Sequence, residues 1–374
     1  MSGRPKTVET ESAAATEPRI INTGQAIREG LEHAAVMDPS VIFFAEGVDD
    51  PSAVYGTLAG IGDRIGADRM IEMPIAENAL CGVAIGAAMT GKRPVISFHR
   101  VEFALLAMEQ IVNNAAKAHY VSNGQHRVPL VLRLVVGRGW GQGPEHSQSL
   151  ESVFAAIPGL KVVMPVYPAD AKGMMIAAVQ DDNPVISIES RWVHYVQGDV
   201  PDDDSPAPLD GPRVLRAGGD ITIAATSYMV LEAMRAADEL ASEGVSAEVI
   251  DLRVLRPLNV APIVDSVRRT GHLMTIDAGF RTLGLGAEVT SRVVEACFDD
   301  LKRAPVRQGL PDHPVPSSRG MIPGIYPNAE PISRAAGELL GLAEDKIAAC
   351  AARLRAARGD LPVDVPDQYF RGPF

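Results

Sequence analysis

Glu77 and His146 are the residues of this sequence best suited to move a proton. Glu77 opens the run ENALCGVAIGAAM, which is approached through Met73-Pro74-Ile75. A carboxylate in a first helical turn is stabilised by the helix dipole, and that alone accounts for most such glutamates. Its neighbours suggest more. Pro74, Ile75, Leu80 and Val83 are expected to surround it with apolar surface, where desolvation favours the protonated form and keeps the group able to donate a proton. Ala79, Cys81, Val83, Ala84, Ala87 and Ala88 are small enough to let another backbone come close. His146 follows GRGWGQGPE. Alternating glycines suit either an exposed linker or a loop that orders around a ligand. An imidazole at the end of such a loop, beside Glu145, suits proton transfer near neutral pH.

The segments that would position these groups read as follows. Ser147-Gln148 is expected to begin a helix containing Val153 and Phe154. HRVEFALLAMEQIVNNAAKAHY is expected to form one helix over 103–118, with Leu106, Ile111 and Ala115 on its apolar face and Phe103 in the core. On that helix Gln110 and Asn113 need partners if buried. Other chemistries are set aside. Gly60 to Gly66 has one residue too many for G-x-G-x-x-G, and there is no G-x-x-x-x-G-K-[ST], no G-x-S-x-G and no His pair at i, i+4. Cys81, Cys297 and Cys350 are far apart and outside any C-x-x-C pair, so reduced core thiols are expected rather than disulfides or a zinc site.

The 374 residues, 46% hydrophobic and 22% charged, are enough for two domains with cores. No apolar run approaches a membrane span and no signal-peptide pattern is present, so a cytoplasmic protein is expected. A net charge of -12 disfavours nucleic acid and anionic membranes as partners. Residues 1–18 read as a polar arm. Asn22 and Gln25 form a capping-box pattern ahead of a helix carrying Ala26, Ile27, Leu31, Ala34 and Ala35. VIFFA and the apolar runs at 94–98, 129–136, 161–165 and 184–188 alternate with helical patterns, as a parallel sheet covered on both faces requires. This gives an α/β domain over 19–196, a proline-rich acidic linker over 197–212, and a smaller α/β domain over 213–345. One last helix is expected over 329–357, with an end and tail over 346–374 whose Tyr369, Phe370 and Phe374 either dock or stay unstructured.

Six blocks carry a resemblance: PIAENALCGVAIGAAMTGKRPV, MEQIVNNAAK, GPEHSQSLESVFAAIPGLKVVMP, PADAKGMMIAAVQDDNPV, VIDLRVLRPL and RTGHLMTIDAGFRTLGLGAEV. In this order and spacing the chain, from about Ile21 to Leu340, resembles the beta subunit of the thiamine-diphosphate-dependent component of 2-oxo acid dehydrogenases, in the transketolase-like superfamily. The resemblance implies a pyrimidine-binding α/β domain with a mainly parallel sheet, a transketolase C-terminal domain, and an α2β2 assembly. It implies oxidative decarboxylation of a pyruvate-like or branched-chain 2-oxo acid, with acyl transfer to lipoamide on an acyltransferase core. The diphosphate and Mg2+ would be held by the alpha subunit through a Gly-Asp-Gly motif that this chain lacks. Glu77 matches the glutamate that hydrogen-bonds the pyrimidine N1′, Phe103 the aromatic packed on that ring, and His146 the histidine reaching towards the acyl group and the incoming lipoyl group. Leu130, Ala178, Asp181 and Asn183 match a monovalent-cation site, usually K+.

The chain departs from the family's pattern in places. Glu102 and Glu109 stand where Asp or Asn, and Asp, are common, and His99-Arg100-Val101 replaces a polar-aromatic-alanine run. Two alternatives remain at this level: half of a split transketolase moving a two-carbon unit, and a non-catalytic scaffold subunit.

Overall fold

The computed structural model describes residues 18–372 apart from 49 and 51. The arm over 1–18, save its last residue, and Phe374 lie outside these. The chain enters on β1 (Ile20–Asn22), and Asn22 then caps α1 (Thr23–Met37) with the reciprocal Asn22–Gln25 bonds expected from sequence. Next come β2 (Val41–Ala45), α2 (Ile61–Ile65), β3 (Met70–Glu72), α3 (Glu77–Met89) and β4 (Arg93–Phe98). The first sheet is completed around α4 (Ala116–Val121), β5 (Val131–Val136), α5 (Gly143–His146), α6 (Glu151–Ala155), β6 (Lys161–Val163), α7 (Pro168–Gln180) and β7 (Val185–Ser190). Every residue of β2, β5 and β7 is buried, which is why these strands read as unbroken apolar runs and not as alternating ones. α1 packs on α7 across one face, and Gly30 allows it: a Cβ there would meet the Lys172 carbonyl at 2.7 Å.

After β8 (Gln197–Asp199), which pairs antiparallel with β1, a second sheet forms. The chain continues through β9 (Arg213–Arg216), β10 (Ile221–Ala225), α8 (Met229–Ala241), β11 (Ala247–Asp251), β12 (Val254–Arg256), α9 (Ala261–Thr270), β13 (Leu273–Phe280), α10 (Leu285–Cys297) and β14 (Val306–Leu310). The strand order is β14-β13-β10-β11-β9, parallel except for β9. The first sheet runs β12-β6-β7-β5-β4-β2-β3, so β12 crosses back and joins it antiparallel to β6. The fold is therefore α/β with mostly parallel sheets, as the alternation implied.

At the seam between the sheets, the Gly279 N–H donates to Glu151 at 2.8 Å and the Gly286 N–H donates to Asp277 at 2.8 Å. Burial, reinforced by the charge of Glu151, pushes the Asp277 carboxyl up to about 7.

Three sequence expectations change. The single helix over 103–118 is a 3-10 stretch, Val101–Ala107, then a π stretch, Gln110–Ala115, then α4. Val101, Ala104 and Ala107 are fully buried at a spacing of three, which fits three residues per turn. The last helix breaks at Gly341, with φ 74°, into α11 (Ala329–Leu340) and α12 (Glu344–Arg358). The segment following β8 lies against the first unit, where the Ala207 N–H donates to the Gly173 carbonyl at 2.9 Å.

Candidate active site

Glu77 is the first residue of α3 and is 6% exposed. Leu80 and Cys81 pack inward beneath it, whereas Ile75 is 81% and Val83 55% exposed. The apolar enclosure expected from sequence is therefore only half supplied by this chain. No described residue donates a hydrogen bond to the Glu77 carboxylate, which lines an open cleft of about 500 Å³ with Asn78, Ala79, Gly82, Leu106 and Gln110. Burial and the charges of Glu77 and Glu72 push the Glu46 carboxyl up. Leu106, expected on a buried face, is 65% exposed at the same cleft, while Ile111 and Ala115 are buried.

The Val101–Ala107 stretch packs on α3 and also on α5, and so links Glu77 with His146. Phe103, half-buried, meets the His146 ring edge to face with centroids 5.9 Å apart. Glu102, the neighbour of Phe103, bonds His146 Nδ1 through Oε1. Sequence reasoning singled out Glu102 only as a departure from a pattern, since nothing local to residue 102 shows that residue 146 folds onto it. His146 itself ends the short helix α5. It does not lead the following one, because Leu150 is left-handed (φ 57°) and separates the two.

The glycine loop is not a free linker but packs against distant segments of the chain. The main-chain N–H of Trp140 donates to Asp364 at 3.0 Å, Arg319 pairs with Asp364 at 2.9 Å, and Phe370 packs edge-on to Trp140 at 6.1 Å. Gly139, at φ 78°, has no room for a Cβ, which would lie 2.0 Å from the Asp364 carbonyl. Trp140 itself is left-handed at φ 53°. Arg100 donates to Gln142 at 3.0 Å and bonds the Tyr55 hydroxyl, and burial brings its guanidinium down to about 10. Arg138 at the start of the loop donates to the Ala278 carbonyl in β13 and lies over the Tyr326 ring at 4.8 Å. The loop is thus held by the tail, the second sheet and the β4 turn together. Of the tail aromatics, Phe370 is buried and Tyr369 half-exposed.

Leu130, Ala178, Asp181 and Asn183 gather where α7 ends and β5 and β7 begin. Three of the four main-chain oxygens already accept one hydrogen bond, and among the described residues Asn183 only donates, to the Asp181 carboxylate. Leu130 O accepts from Val185 N at 2.9 Å, Ala178 O from Asp181 N at 3.3 Å and Asp181 O from Arg93 at 3.0 Å, while Lys161 pairs with the Asp181 carboxylate. Among the described residues no group of three His, Cys, Asp or Glu is placed to hold a metal ion. Cys81, Cys297 and Cys350 are free and buried, and burial pushes the Cys81 thiol up to about 12.

The 101–107 stretch thus packs between the helix that carries Glu77, on an open cleft, and the partly exposed imidazole of His146, against which Phe103 lies. Comparison with known proteins identifies the family. A family model for the transketolase pyrimidine binding domain matches residues 19–193, and one for the transketolase C-terminal domain matches 212–331. The chain is 38% identical over 329 residues to pyruvate dehydrogenase E1 component subunit beta-2, mitochondrial, of Oryza sativa subsp. japonica, covering 87% of each. It is 38% identical over 286 residues to pyruvate dehydrogenase E1 component subunit beta of Rickettsia bellii, covering 76% of this chain and 88% of that one. With the acetoin:2,6-dichlorophenolindophenol oxidoreductase subunit beta of Cupriavidus necator it shares 36% over 321 residues, 83% and 95% of the two chains. A solved split gene transketolase, an inactive beta4 tetramer, overlays with TM-score 0.69 at 23% identity, over 86% of this chain and 99% of that chain, a likeness of fold alone. By sequence and by fold, the chain belongs to the transketolase-like family of 2-oxo acid dehydrogenase E1 beta subunits.

Proposed function

We propose that this chain is the beta half of a thiamine-diphosphate-dependent 2-oxo acid dehydrogenase, completed by an alpha subunit in an α2β2 assembly and passing its acyl group to lipoamide. The observation that carries the reading is Glu77: a buried residue whose carboxylate has no donor among the described residues, on the wall of a cleft that this chain leaves open. Exposed Ile75, Val83 and Leu106 beside it support a partner chain closing that cleft. Thiamine diphosphate, when bound, supplies the electron sink for decarboxylation. Glu77 holds a ring nitrogen by a hydrogen bond and exchanges a proton there. Phe103 offers a flat apolar surface to the ring. His146 moves a proton near the substrate, in a loop already held in place by Asp364 and Arg100. Mg2+ belongs with the diphosphate on the alpha subunit. A K+ ion held by the oxygens of Leu130, Ala178, Asp181 and Asn183 is a further part of the proposal. Three reduced cysteines support a reducing compartment, which we take to be the cytoplasm.

The test is to purify the tagged chain from its native host, identify what accompanies it by mass spectrometry, and assay the assembly with thiamine diphosphate, Mg2+ and a panel of 2-oxo acids against an artificial electron acceptor. The expected result is an equimolar partner containing Gly-Asp-Gly and turnover of at least one 2-oxo acid. A homo-oligomer with no turnover would overturn the proposal in favour of a scaffold role. Two-carbon transfer between sugar phosphates would move it to transketolase chemistry.

A further inference from the structure

We infer that Glu102 is the positioning residue of His146, fixing which ring nitrogen carries the proton and which one is left to react. The inference rests on the proposed role of His146 for its catalytic consequence, but not for its geometry. Glu102 Oε1 engages Nδ1, and the glutamate side chain is 9% exposed against 36% for the histidine. Its second oxygen, Oε2, is buried and accepts no hydrogen bond among the described residues. A buried carboxylate with one partner is best satisfied when that partner keeps its proton, because an acceptor facing an acceptor would leave both lone pairs desolvated and unpaired. The pair therefore favours the Nδ1–H tautomer, with Nε2 free as the base or, once protonated, as the acid.

Phe103 restrains the same ring from another side through its edge-on contact at 5.9 Å. Adjacent residues of one 3-10 stretch thus hold the imidazole, one by charge and one by shape. The guanidinium of Arg100 also feels the charge of Glu102. In a proton transfer Nε2 gains or loses one proton to the group facing it. The Nδ1–H stays on the ring, so no other reactant is needed.

The test uses the full chain labelled with 15N-histidine, with the His146 ring signals identified by their loss in His146→Gln. The neutral ring is expected to show the Nδ1–H pattern of nitrogen shifts. In Glu102→Gln these are expected to move towards the average of mixed tautomers, and in Glu102→Asp to keep most of the Nδ1–H character. In the assembled enzyme Glu102→Gln should lower kcat roughly tenfold or more, less than the ~10²-fold or greater loss from removing a proton-transfer group outright. KM and cofactor affinity should stay near the parent's, and Glu102→Asp should recover most of kcat. An Nε2–H ring in the parent, or ring signals unchanged in Glu102→Gln, overturns the inference. An Nδ1–H ring that responds to Glu102→Gln in a chain with no 2-oxo acid turnover supports the positioning and overturns only the proposed function.

Discussion

Trp140 and Asp364 are joined by a main-chain to side-chain hydrogen bond of 3.0 Å across 224 residues of sequence. Through it the tail holds the loop that leads to His146. Asp364→Ala removes the acceptor of the Trp140 N–H and the partner of Arg319 together, at a cost of about 1–3 kcal/mol. Limited proteolysis followed by mass spectrometry should find new cleavage within 137–145 in this variant and none in the parent. Equal resistance in both would separate the loop from the tail.

Gly139→Ala probes the same contact from the other side. The new Cβ has no space against the Asp364 carbonyl, and φ 78° is unfavourable for alanine. A loss of roughly 1–3 kcal/mol in a denaturant titration is expected, together with weaker catalysis. Adding Asp364→Ala should not relieve it, because the clash is with main chain. Full recovery in the double variant would mean that the segment shifts freely.

Glu77→Gln keeps the shape of the α3 N-terminus and removes the exchangeable proton. Turnover of the assembled enzyme should fall by about 10²–10⁴-fold. Stability should change by no more than ~1 kcal/mol, the usual size of a helix-dipole contribution. Retained turnover would remove Glu77 from the reaction.

Much of this was legible in sequence where the signal is local. The Asn22–Gln25 capping box, the buried strands and the extent of α3 follow from spacing within a few residues. The hydrophobic pattern of 101–115 placed Ile111 and Ala115 correctly in the interior but not Leu106, and it did not give the turn geometry, because spacings of three and four are compatible with 3-10, α and π turns alike. Ile75 and Val83 read as pocket walls since apolar residues are expected inside, and nothing in their types says that they face outward. The Glu102–His146 pair and the Trp140–Asp364 bond were invisible, each depending on which distant segment arrives opposite.

Asp277 gives a pH signature. Its carboxyl lies at about 7 in the folded protein, above the ordinary value near 4, with burial the main cause and Glu151 the second. Its contribution to stability is therefore complete below about pH 4 and is lost as pH rises through about 7. Asp277→Asn keeps an acceptor for the Gly286 N–H and cannot ionise. Its stability advantage over the parent should widen by roughly 2–3 kcal/mol between pH 5 and pH 8, read from denaturant curves at each pH. A gap that does not change with pH would show that Asp277 titrates normally.

The tail's grip on the glycine loop also bears on the order of folding. Contacts between residues far apart in sequence form slowly, because a long stretch of chain must be closed first. The parallel strands of the first sheet lie within 41–190 and can assemble while 364–370 is still unplaced. A population of molecules with both sheets formed and the loop still unlatched is then a natural late stage of folding. Tail variants would slow the last kinetic phase and leave the earlier ones unchanged, so the yield of folded chain and the yield of working sites become separate quantities.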